Sequence, residues 1–120
     1  MKKDSKEIID VICQTIYDKK GSNIIALDVK GISSITDYII VAEGNVDRHL
    51  NAIANSIIDE LRDIGEKPLH IEGKNESDWI VIDFINIIVH LFLPKEREKY
   101  KIEQMFQDAN IIETNIKISG

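Results

Sequence analysis

The sequence predicts an α/β fold in which helices cover a mixed β-sheet, and three observations predict it. Apolar residues switch between the 3.6-residue period of helices and the two-residue alternation of strands. The segments so defined run in the order α-β-β-α-β-β-β-α, joined by short connections. The 120 residues are 43% hydrophobic and 30% charged, enough for one core without staples, so residues 1–120 read as a single domain.

Asp4 and Glu7 have capping-box spacing, and Ile8, Ile9, Ile12 and Ile16 then share one helical face; this helix should stop near Gly21. "NIIALDVK" reads as a strand with Ile25, Leu27 and Val29 on one side. "GISSITD" is a turn-rich connection, and "YIIVAE" is a second strand ending at Gly44. Asn45 is the expected cap of the next helix, with Asp47 in its first turn against the positive end of the dipole. Leu50, Ile53, Ala54, Ile57, Leu61 and Ile64 form its apolar stripe; Gly65 and Pro68 end it. "PLHIEG" is a short strand, and "KNESD" is a polar loop in which Glu76 and Asp78 stand two residues apart.

"WIVIDF" and "IIVHLFL" then read as a hairpin with Ile85 and Asn86 as its two-residue loop. Counting outwards sets Asp83 opposite Ile88, Val81 opposite His90 and Trp79 opposite Phe92. One face of this hairpin is wholly apolar: Ile80, Ile82, Phe84, Ile87, Val89, Leu91 and Leu93. The other mixes Trp79, Val81 and Asp83 with Ile88, His90 and Phe92. Pro94 suits a helix start. In "KEREKYKIEQMFQDA" the expected buried stripe is Ile102, Met105, Phe106 and Ala109. Tyr100 falls about 160° away from Ile102, on the wet side with Glu96, Glu103 and Gln107. The tail, residues 110–120, reads as an extra strand or as a frayed end.

Fifteen Lys and Arg stand against 21 Asp and Glu, a net charge of -6. That argues against sequence-specific nucleic-acid binding, which rewards clustered cations, and suits a basic protein partner. The single cysteine, Cys13, excludes an internal disulfide, which fits a reducing cytoplasm. The start "MKKDSKEIID" lacks a signal peptide's apolar stretch, and no run is long enough for a membrane span, so no membrane partner is expected.

Catalytic patterns are missing. There is no G-x-S-x-G and no phosphate-cradling Gly-rich loop ending in Lys and Ser or Thr. His49, His70 and His90 are scattered over different elements, so no metal site is expected, and His90 reads as a hydrogen-bonded strand residue. A two-metal phosphoryl-transfer enzyme would need Asp28, Asp37 and Asp83 to converge, and none has an acidic neighbour two residues along its strand. No catalytic residue and no cofactor is assigned. What remains is a surface. Trp79 and Phe92 form a cross-strand aromatic pair, Tyr100 follows on the next helix, and Glu72, Asp78 and Asp83 flank the strands.

At these residues the chain resembles the ribosomal silencing factor family, also called Iojap-related proteins. The resemblance rests on "ALDVKGISSITDYIIVAEGNVDRH", "KPLHIEGKNESDWIVIDF", "IIVHLF" and "EREKYKIEQMF", in order over most of residues 24 to 106. It implies a fold like that of nucleotidyltransferases without the catalytic acids. It also implies translational repression when nutrients are scarce, by binding ribosomal protein L-fourteen of the large subunit and blocking subunit joining. The partner-binding positions it implies are Trp79, Asp83 and Tyr100, with Asn86 of the hairpin loop and Phe92 beside them. A large-subunit assembly factor would need the same contact. The Ile-rich first helix or the tail could support a homodimer. Two departures stand out: Ile85-Asn86 where the family often has Gly-Asp, and Val46 where it often has Ser.

Overall fold

The computed structural model describes residues 4–73 and 78–118. Helix α1 spans Ser5–Asp18, β1 Ser22–Asp28, β2 Tyr38–Glu43 and α2 Asp47–Asp63. Strands β3, β4 and β5 span His70–Glu72, Trp79–Asp83 and Ile87–Phe92, and α3 spans Pro94–Tyr100. This is the order expected from the sequence. A 3₁₀ helix, Ile102–Phe106, and a two-residue strand β6, Asn110–Ile111, extend it. The polar loop at 74–77, with the Glu76 half of its acid pair, lies outside the described residues, as does the side chain of Glu103.

Local chemistry explains the first elements. Asp4 accepts the Glu7 N–H at 2.9 Å, so α1 begins where the capping spacing puts it. Its end turns sharply, with the Gly21 N–H donating to the Ile16 carbonyl at 2.8 Å. A Cβ at Gly21 would come 2.4 Å from Ile16 Cγ2, which is why a glycine ends this helix.

Six strands make one sheet in the order β3-β4-β5-β2-β1-β6. β2 and β5 run parallel, and every other neighbouring pair is antiparallel. The parallel pair needs a crossover, which begins with α2. Both long helices lie on one face. Ile9, Ile12 and Ile16 of α1 and Leu50, Ile53, Ile57 and Leu61 of α2 pack on Ala26, Ile40, Ala42, Ile80, Ile82, Val89 and Leu91. Cys13 is buried among them, and burial pushes its thiol up to about 12.

The opposite face is only partly covered. Ile102, Phe106 and Ala109 pack on Leu27, Val29, Ile39, Val41 and Phe92, leaving Trp79, Val81, Asp83, Ile88 and His90 half-buried. This open half of the sheet is the mixed hairpin face.

Two expectations are corrected. The last helix is not continuous: Lys101 takes a left-handed conformation at φ 48° and breaks it after Tyr100. Helical phase is lost there, so Met105, expected in the buried stripe, is 71% exposed. Asn45 does not cap α2. Val46 holds the N-cap position without a side-chain bond, and the Asn45 N–H instead donates to Nδ1 of His49 at 2.9 Å. Of the two readings of the tail, the extra strand holds at its start, where Asn110 and Ile111 pair with Asp28 and Leu27. Further along, the Asn115 N–H donates to Asp10, and Gln14 exchanges two hydrogen bonds with the backbone of Lys117.

Candidate functional site

The hairpin register is the one counted from the sequence: Trp79 opposite Phe92, Val81 opposite His90 and Asp83 opposite Ile88. The Phe84 N–H donates to the Ile87 carbonyl at 2.8 Å and closes the loop over Ile85 and Asn86. Asp83 lies four residues along β4 from Trp79, roughly 13 Å at about 3.3 Å per residue. The predicted residues therefore divide between an aromatic end and a turn end.

At the aromatic end the Trp79 ring lies 4.9 Å from Phe92, 4.7 Å from Tyr100 and 5.9 Å from His90, centroid to centroid. These are spacings at which aromatic pairs attract beyond mere area burial. Phe92 is 0% exposed, so its expected role as a direct partner contact is corrected: it lies under Trp79 and Ile102 as a floor. Ile102, just beyond α3, packs over Phe92. Tyr100 is 44% exposed and Trp79 half-buried, so these two present the aromatic surface.

Tyr100 is held there by a residue that the sequence pattern did not single out. Arg97 donates to a Glu43 carboxylate oxygen at 3.2 Å and to the carbonyl of Asn23, pinning α3 to the ends of β1 and β2. Both side chains of this ion pair are largely buried. Tyr100 follows Arg97 by three residues, on the same side of the helix. His90 is the second residue missed as part of the site, although its place beside Trp79 was legible in the register. Trp79 Nε1–H donates to His90 Nδ1 at 3.1 Å. Burial holds the His90 pKa down at about 4, so the ring is neutral at pH 7 and accepts this bond.

The turn end is organised by its backbone. The Ile85 N–H donates to Asp83 Oδ1 at 2.7 Å, so this carboxylate holds the turn. The Asn86 N–H donates to the Phe84 carbonyl at 3.0 Å, with Ile85 between them at φ 77°. That is a positive-φ γ-turn, a strained conformation for a β-branched residue. The carbonyl of Asn86 accepts the N–H groups of Asp37 and Tyr38 at 3.2 and 3.0 Å, tying the turn to the start of β2. Asn86 itself is exposed. It does not join the aromatic group.

Of the flanking acids, Glu72 and Asp78 are exposed, and Glu72 Oε1 bonds His70 Nε2 at 2.9 Å. Asp28 accepts the Lys30 N–H at 3.0 Å. Among the described residues no three His, Cys, Asp or Glu side chains gather in a way that could hold a metal ion, and Asp28, Asp37 and Asp83 are among those residues. A groove of about 940 Å³ lies elsewhere, between α1, α2 and the tail, lined by Asp10, Gln14, Asp59 and Asn115 among others. Trp79, Phe92 and Tyr100 do not line this groove. No helix among the described residues is long and apolar enough to cross a membrane.

Comparison with known proteins gives a consistent picture. Residues 2–119 match the profile of a family described as "Ribosomal silencing factor during starvation". The ribosomal silencing factor RsfS of Bacillus subtilis (strain 168) is 34% identical over 106 residues, 88% of this chain and 90% of that one. A mouse protein named "Mitochondrial assembly of ribosomal large subunit protein 1" is 28% identical over 101 residues, 82% of this chain and 44% of that one. A crystal structure of a Chromobacterium violaceum protein superposes with a TM-score of 0.85 at 28% identity, covering 98% of this chain and 95% of that one.

Proposed function

The chain belongs to the ribosomal silencing factor family, and on that premise we propose that it docks on the large ribosomal subunit and represses translation by keeping the small subunit from joining. One observation carries the reading. Trp79 and Tyr100 stand together, partly exposed, on a buried Phe92 floor, on the sheet face opposite α1 and α2. Trp and Tyr bury large area while freezing few torsions, which makes such a pair a good anchor for a protein partner. The exposed acids Glu72 and Asp78, the half-buried Asp83 and the net charge of -6 suit a basic partner. The family resemblance points to ribosomal protein L-fourteen. The action is steric, with no catalytic step and no cofactor, and it takes place in the cytoplasm.

The test is sedimentation of purified small and large subunits with and without the protein. The reading expects the protein to travel with the large subunit and the two subunits to stay apart. Joined ribosomes at saturating protein would contradict it. The name of the mouse relative favours a second reading, assembly of the large subunit. That reading expects the protein on immature large-subunit particles, with joining of mature subunits unaffected. A magnesium-dependent enzyme built on Asp28, Asp37 and Asp83 would instead give saturable heats when titrated with magnesium and a nucleotide, and none is expected.

A further inference from the structure

We propose that His90 is a positioning residue for docking: its imidazole, through Nδ1, sets the rotation of the Trp79 indole that the partner meets. The proposal rests on the docking reading above and adds to it a residue that acts through Trp79.

The geometry begins with the register. Val81 stands opposite His90 and Trp79 opposite Phe92, so Trp79 and His90 are diagonal neighbours on one face of an antiparallel pair. Diagonal neighbours are within reach of long and aromatic side chains. The indole N–H meets Nδ1 at 3.1 Å, and the two rings lie 5.9 Å apart and tilted by 38°. His90 in turn lies 6.1 Å from Phe92 at an interplanar angle of 11°, so its own ring is fixed by stacking. Val41 stands beside His90 across the parallel pair with β2. An acceptor held from both sides can dictate where a donor points.

Stacking alone does not fix the indole. Ring contacts with Phe92 and Tyr100 are only weakly directional, so they select poorly between two orientations related by a flip of the indole. A hydrogen bond is directional and removes that freedom. The flipped ring would turn the indole N–H away from Nδ1 and leave the half-buried imidazole acceptor unpaired. Burial keeps this ring neutral, which leaves Nδ1 available as an acceptor.

Trp79 is the only tryptophan in the chain, so its indole N–H gives one resonance and its ring one emission band. The experiment compares the wild type with His90→Phe, which keeps a stacked ring and removes the acceptor, and His90→Asn, whose carbonyl lies where Nδ1 was. The indole N–H resonance reports the bond in the free protein, and co-sedimentation with isolated large subunits reports docking. His90→Phe should move the indole resonance, speed its exchange with solvent and weaken binding about tenfold. His90→Asn should restore both. Combined with Trp79→Phe, which has no indole donor, His90→Phe should cost no further affinity.

If His90→Phe does not fold, His90→Gln replaces it, since its carbonyl sits one bond too far out; it should lose binding that Asn retains. Undiminished binding by a folded His90→Phe protein overturns the proposal, as does equal binding by the Asn and Gln variants. So does an additive loss with Trp79→Phe. A wild type that shows the bonded indole and fails to bind large subunits overturns the docking reading instead, a failure distinct from that of His90.

Discussion

The two ends of the β4–β5 hairpin share one sheet face and are held by different physics. At the aromatic end, side chains fix one another: Trp79 rests on Phe92 and Tyr100, and His90 accepts its N–H. At the turn end, the backbone is fixed by a carboxylate on the Ile85 N–H and by two N–H groups on the Asn86 carbonyl. Ring contacts leave broad apolar surface facing outward. Backbone bonds use up the polar groups that would otherwise meet a partner. Of the residues that looked like one site, the aromatic end therefore keeps apolar surface exposed, and the turn end holds the backbone's shape.

That difference yields predictions, taken from the largest effect down. His90 ordinarily titrates near 6.5 and is held at about 4 by burial. Its folded pKa is depressed, so its contribution is complete above pH 6.5 and is lost as pH falls towards 4. The shift corresponds to roughly 3 kcal/mol. Urea unfolding at pH 7 and at pH 4.5 should show most of this loss, and it should shrink in His90→Phe. An equal loss in both proteins would mean that the aromatic end does not depend on a neutral imidazole.

Arg97→Ala should come next. It strands Glu43 in a largely buried place and frees α3, for a loss of about 2 kcal/mol in urea unfolding. Tyr100 should then leave Trp79, shifting the single tryptophan's emission to the red. An unshifted band would show that the rings hold Tyr100 without the ion pair.

The turn end is tested by smaller effects. Asp83→Ala should cost about 1 kcal/mol, and Asp83→Asn, which keeps an acceptor for the Ile85 N–H, much less. If Asp83→Asn is stable yet loses affinity for large subunits, mostly at low salt, the turn end also steers the partner by charge and the division is less sharp. Ile85→Gly should stabilise by roughly 0.5 kcal/mol, the relief of a β-branched residue at positive φ exceeding glycine's entropic cost. Ile85 is 58% exposed, so little burial is lost. A destabilised Ile85→Gly protein would show that this side chain packs against its surroundings more than its exposure implies.

The aromatic end was the more legible of the two from sequence. One count outwards from a two-residue loop placed Trp79 against Phe92, and Pro94 placed Tyr100 just beyond the strand. The burial of Phe92 was not legible, because the residues that cover it follow a break at Lys101. A lysine in the left-handed region leaves no mark in the apolar pattern, so phase counting ran on past it. The absence of a side-chain cap on α2 was likewise hidden, since Asn45 is a good cap by type and stands one residue too early. At the turn, Ile85 stands where the resembled family often has Gly, and it takes a positive φ of 77°.

The central claim is that the aromatic end is the docking surface, and co-sedimentation of isolated large subunits with the wild type and with Trp79→Ala tests it most directly. The account predicts that folded Trp79→Ala protein stays in the supernatant, with affinity down about 30-fold or more. Folded Trp79→Ala protein that pellets with large subunits as the wild type does would contradict it.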